Sequence, residues 1–228
     1  MRNIRQRGKK MWRDTAYVRQ VAIGPLFPVP STPDGLYKFA DRNLGISQLP
    51  DEVQAFHSFL RTRSPRVVLE IGTYSGGHFC MLSRALPTLT TLIGVDLHVR
   101  NKPLIRRLAP AGLNVQLIDG DSHSLPTRQE IERALGGQPI DVLFIDGDHS
   151  YEGVRSDYET YRDLVRDGGV IGFHDIVEDY EHRFGRNVMG NIAGEVPRFW
   201  KELKSHGQTQ EFVSDPEQDG YGIGVLIK

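Results

Sequence analysis

Five short apolar runs that do not alternate, set among helical stretches, constrain this chain most. They are "RVVLEIG" (66–72), "TTLIGVDL" (90–97), "NVQLIDGD" (114–121), "IDVLFIDGD" (140–148) and "GGVIGFHDI" (168–176). A strand with one face in water alternates apolar and polar residues. Val67–Val68–Leu69 and Val142–Leu143–Phe144–Ile145 do not, so both of their faces must be covered. Helical spacing is found at 51–63, 78–86, near 103–108, at 128–135 and at 151–165. Strand and helix in alternation imply a parallel sheet with right-handed crossovers, an α/β, doubly wound, Rossmann-like fold. At the end, "EVPRFWKELKSH" reads as a helix, and "QEFVSD" with "GYGIGVLIK" as an antiparallel strand pair.

The 228 residues suit one domain, expected over 46–228, behind an irregular basic lead-in over 1–45 that is rich in Pro and Gly between 24 and 35. A net charge of −1 argues against whole-protein attraction to nucleic acid. The single Cys80 excludes an intrachain disulfide and suits a reducing compartment. No apolar run approaches the roughly 20 residues of a membrane span. The N-terminus carries Arg2, Arg5, Arg7, Lys9, Lys10 and Arg13, with Trp12 and Tyr17 beside them. "VAIGPLFPVP" is too broken by Gly and Pro to serve as a signal peptide core, so a cytoplasmic location is expected.

Polar groups collect where the apolar runs end, the edge at which open parallel sheets bind ligands. The first loop, "LEIGTYSGG", lacks the G-x-G-x-x-G of a pyrophosphate site, and Glu70 just before it is better suited to a cationic ligand. Asp96 ends the second run, where an acid can accept from a ribose diol, and Asp121 and Ser122 end the third. Together they suggest an adenosine-containing cofactor without a pyrophosphate. The fourth run ends in Asp146, Gly147, Asp148 and His149, the fifth in His174 and Asp175.

These motifs in this order resemble those of class I S-adenosylmethionine-dependent methyltransferases. The likeness runs from about Asp51 to Lys228 and is nearest to the metal-assisted O-methyltransferases: the catechol and caffeoyl-CoA enzymes and the sugar O-methyltransferases of antibiotic biosynthesis. The resemblance implies a seven-stranded sheet in the order 3-2-1-4-5-7-6. It also implies S-adenosylmethionine as cofactor, with Gly72, Tyr74, Ser75 and Gly76 along its methionine part and Glu70 supporting the loop. Asp96 would lie on the ribose, Asp121 and Ser122 by the adenine. With strands four and five adjacent, Asp146 would converge with His174 and Asp175, and two carboxylates in one cleft call for a cation. Asp146, His174 and Asp175 are therefore the expected ligands of a divalent metal. Oxygen donors suit Mg²⁺, whereas an imidazole leans towards Mn²⁺, Fe²⁺ or Zn²⁺. His149 stands where the family has a proton-accepting Lys, with Asp148 as the competing base and Asp146 in the same catalytic group.

The expected partner is a small hydroxylated acceptor, a sugar or polyhydroxylated natural product, and a homo-oligomer is compatible with this. Residues 177–200, with Tyr180, His182, Arg183, Phe184 and Arg186, are expected beside the acceptor, and Trp200 in the core. Two other readings carry less weight: a nucleic-acid methyltransferase using the basic N-terminus, and a non-catalytic cofactor-binding or hydroxylase-associated module.

Overall fold

The computed structural model describes residues 28–186 and 191–228. The basic segment with Trp12 and Tyr17 lies outside the described residues. The strands are β1 (Val67–Ile71), β2 (Thr91–Asp96), β3 (Asn114–Asp119), β4 (Ile140–Ile145), β5 (Val165–His174), β6 (Gln208–Phe212) and β7 (Ile223–Ile227). The helices are α1 (Pro33–Asn43), α2 (Pro50–Arg63), α3 (Gly77–Ala85), α4 (Lys102–Leu108), α5 (Leu125–Leu135), α6 (Tyr151–Tyr161), α7 (Tyr180–Phe184) and α8 (Val196–Leu203).

The strands form one seven-stranded sheet in the order β3-β2-β1-β4-β5-β7-β6, as the resemblance implied. β1 to β5 run parallel, and β7 lies antiparallel between β5 and β6. Both sheet faces are covered, which is why the central strands read as unbroken apolar runs. Successive side chains point to opposite faces. Val68, Val142 and Phe144 pack with Phe56 and Leu60 of α2 and Phe79 and Leu82 of α3. Leu69, Leu143 and Ile145 pack with Ile131 of α5, Val154 and Tyr161 of α6 and Trp200 of α8. Each such side chain, fully buried, contributes about 1.5–3 kcal/mol.

Helix starts follow local chemistry. Ser124 and Ser150 cap α5 and α6 by accepting from the amides of Thr127 and Gly153, and proline occupies the first turn of α1, α2, α4, α5 and α8. Two sequence expectations are corrected. The lead-in to residue 45 is not irregular throughout: α1 forms over 33–43, its Leu36 and Ala40 buried. The fifth strand begins at Val165 rather than 168, because Val165 pairs with Ile140 ahead of an irregularity in the ladder. Trp200 lies in the core as expected, 1% exposed.

Register positions the site. Ile71 pairs with Ile145, and Ile145 with Phe173. The residues just beyond, Gly72, Asp146 and His174, therefore stand side by side at one sheet edge, on strands spaced about 4.8 Å apart.

Candidate active site

A cleft of about 700 Å³ opens over these strand ends. Gly72, Tyr74, Asp96, Asp121 and Ser122 line it on one side, and Asp146, Asp148, His149 and Asp175 on the other. Glu70 and Ser75 line instead an adjoining cavity of about 120 Å³, together with Gln48, His78 and Asp146. Gly76 lines neither; it packs against Ile105.

The loop after β1 is fixed by backbone bonds. The Gly72 and Thr73 amides donate to the Val95 carbonyl at 2.8 and 3.1 Å. Asp96 accepts from the Tyr74 amide at 2.7 Å on one oxygen and from the His98 amide at 3.0 Å on the other. Each oxygen keeps a lone pair for a ligand hydroxyl. Gly72 has φ +90°, and a Cβ there would lie 1.9 Å from the Asp146 carbonyl oxygen, so only glycine lets the first loop sit against the fourth. Tyr74, also at positive φ, is half exposed, with the Arg100 guanidinium 4.3 Å from its ring centroid. At the third strand end, Asp121 accepts from the His123 amide, and the Ser122 carbonyl accepts from the Tyr161 hydroxyl at 2.5 Å.

The opposite side gathers charge. Asp146 Oδ1 lies 3.1 Å from His174 Nδ1 and 3.3 Å from His149 Nε2, while Asp175 Oδ2 lies 3.2 Å from His174 Nδ1 and 3.5 Å from His149 Nδ1. Asp175 is 1% exposed, has φ +61° and leaves Oδ1 buried without a partner. A non-glycine residue held in that region is strained, and such strain gathers at functional sites. Asp146, His149 and Asp175 present ligand atoms all within 4.8 Å of one another. This trio differs in one member from the set expected from sequence. His174 is buried behind the carboxylates with its Nδ1 towards both, placed to hold them, and its Nε2 has no partner.

His149 is oriented from behind. Its Nδ1 is 2.6 Å from the Ile192 carbonyl, which can only accept, so Nδ1 carries a proton and Nε2 faces Asp146. The Glu195 amide donates to the His149 carbonyl, and Gly194, at φ +57°, packs so close that a Cβ would meet that oxygen at 2.4 Å. Burial opposes protonation of His149, but the Asp146 and Asp175 carboxylates outweigh it and raise the imidazole to about 9. Burial likewise disfavours charge on Asp146 and His174, yet their mutual attraction holds the acid well below and the imidazole well above their ordinary values. Asp148 is turned towards α6, accepts from the Ser150 amide, and is lowered by that bond.

Three participants escaped the sequence reading. Gln48 donates from Nε2 to Asp146 Oδ2 at 2.6 Å. Beneath the first loop, His78 Nδ1 is 2.6 Å from Glu70 Oε1, and His78 Nε2 is 3.1 Å from His57 Nε2. Burial pushes Glu70 up, His78 down to about 3 and His57 down, each in the direction of its uncharged form. A signal for the histidines existed: each falls on the inward face of a helical pattern, where apolar residues are the rule. Gln48 has no comparable signal. Of the segment expected beside the acceptor, Ile192 lines the cleft, while Tyr180 and Arg183 bond to carbonyls at 217 and 218.

A family model described as a methyltransferase domain matches residues 69–176. An uncharacterized protein, R132, of Acanthamoeba polyphaga mimivirus is 33% identical over 127 residues, covering 53% of this chain and 55% of that protein, so the chain spans about half the length of the curated relative it matches. Among solved structures, an O-methyltransferase from Bacillus cereus in complex with SAH aligns over 96% of this chain and 100% of its own, with 19% identity and a TM-score of 0.63. The O-methyltransferase TomG from Streptomyces achromogenes, in complex with SAM, aligns over 94% and 98%, at 18% identity and 0.59. MycE of the mycinamycin pathway, in complex with Mg, SAH and mycinamycin VI, aligns over 84% of this chain and 53% of its own, at 20% identity and 0.53. At these identities the likeness is one of fold. The sheet order is that of a Rossmann-like methyltransferase fold, and within it residues 69–176 match a methyltransferase domain.

Proposed function

We propose that the protein is an O-methyltransferase that moves a methyl group from S-adenosylmethionine to a hydroxyl of a small polyhydroxylated acceptor, assisted by a divalent cation. The observation that carries this reading is the meeting of Asp146, His149 and Asp175 at one corner of a cleft whose other side is the Gly72–Tyr74 loop and Asp96. Two acids share that corner, and one oxygen of Asp175 is buried and bare; both features fit a hard cation. The solved structures of similar fold that hold SAM, SAH or Mg support the same assignment.

When bound, the cofactor supplies an electrophilic sulfonium methyl, and the cation supplies Lewis acidity towards the acceptor hydroxyl. Asp146 and Asp175 would hold the cation, and Asp96 would accept from the cofactor ribose. His149 Nε2, oriented through Nδ1 by the Ile192 carbonyl, would take the hydroxyl proton. Its raised pKa comes from the two carboxylates. With their charge offset, burial remains and pushes the imidazole down towards the neutral form that accepts a proton. Holding acceptor oxygen and methyl group in line within one cleft supplies much of the acceleration.

The test is transfer of labelled methyl from S-adenosylmethionine to a panel of sugars and polyhydroxylated compounds, with EDTA and after adding back Mg²⁺ or Mn²⁺. Transfer that EDTA stops and metal restores is expected. Undiminished transfer in EDTA would remove the cation from the reaction, and label appearing in RNA but in none of the small molecules would overturn the acceptor class.

A further inference from the structure

We infer that Gln48 is a positioning residue for the Asp146 carboxylate, setting which of its oxygens is offered to a cation; this rests on the metal-assisted reading above. Gln48 lies outside the matched stretch 69–176, in the turn between α1 and α2, and is 3% exposed. Its own carbonyl is tied down by the Tyr37 hydroxyl at 3.0 Å. From there Nε2 reaches Asp146 Oδ2 at 2.6 Å.

The opposite amide orientation would set two acceptors against each other, so the donor must face the carboxylate. The two oxygens of Asp146 are thereby divided. Oδ2 is committed to the amide, and Oδ1 is left at the corner shared with His149 and His174. Rotation of the carboxylate about Cβ–Cγ would break the hydrogen bond that Gln48 Nε2 donates to it. Because the donor is neutral, it fixes orientation without cancelling the negative charge, as a Lys or Arg would. Gln48 Oε1 has no protein partner and is buried. A buried amide with half its bonding capacity unused is expensive as packing alone, and its use on Asp146 accounts for it.

The decisive variant is Gln48→Met, which keeps length and volume but removes the donor. Mn²⁺ affinity would be read from free-ion electron paramagnetic resonance, SAH affinity by calorimetry, and kcat separately from KM. Loss of a hydrogen-bond partner behind a ligand typically weakens metal binding roughly 10- to 100-fold. That loss is expected here, with SAH affinity within about threefold and the fall in transfer carried by kcat. Unchanged Mn²⁺ affinity in a variant that still binds SAH overturns the role of Gln48 while leaving the cation reading intact. Wild-type protein that binds no Mn²⁺ overturns both. Should Gln48→Met fail to fold, Tyr37→Phe tests the same path by freeing the Gln48 backbone. A smaller loss of Mn²⁺ affinity supports the assignment, and no loss removes it.

Discussion

Asp96 and Asp146 both sit at the carboxyl edge of central strands, yet they are satisfied in opposite ways. Asp96 receives one backbone amide on each oxygen, from Tyr74 and His98, so its charge is answered locally by groups that cannot move away. Asp146 receives a side-chain amide and two imidazoles, and His149 and His174 reach from it to a second carboxylate, Asp175. One half of the cleft is finished as it stands. The other is a balance of charges whose members depend on one another's protonation. A backbone-held acid suits a ligand bound by hydrogen bonds, whereas a carboxylate pair bridged by imidazoles suits chemistry in which cation and proton change places.

Replacing one acid at a time separates the halves. Asp146→Ala should have the largest effect, lowering turnover on the order of a thousandfold by removing a ligand of the proposed cation. Calorimetry should find S-adenosylmethionine affinity changed only a few-fold, and a comparable loss of cofactor binding would show that the halves are one site. His149→Gln should lower kcat by roughly 10²-fold, the lower end of what a positioned base contributes. Mn²⁺ titration should find metal affinity nearly retained; its collapse would make His149 a ligand rather than the proton acceptor. Asp96→Ala should have the smallest effect, weakening S-adenosylmethionine binding by ~1–3 kcal/mol with kcat at saturation nearly kept. Full affinity in that variant would take the ribose away from Asp96.

Much of this arrangement could be read in the chain. Val67–Leu69 and Val142–Ile145 announced doubly covered strands, and Asp96, Asp121 and Asp146 stood at their ends, because strand period and strand-end position are local properties. Helix α1 was harder to see, since Leu36 and Ala40 are few apolar positions beside Pro28, Pro30 and Pro33. The sequence placed two histidines near the acids but could not say which faces the cleft and which is buried. His149 is aimed by the carbonyl of Ile192, 43 residues away, and His174 is turned behind the carboxylates by the core around it. Gln48 meets Asp146 across 98 residues.

The chain by itself determined the layered fold and the edge at which its chemistry gathers, because apolar periodicity fixes which face of each element is buried. Only the tertiary structure decided which atoms touch. Those contacts are made by aperiodic loops and by side-chain rotamers, whose geometry is set once distant elements have packed.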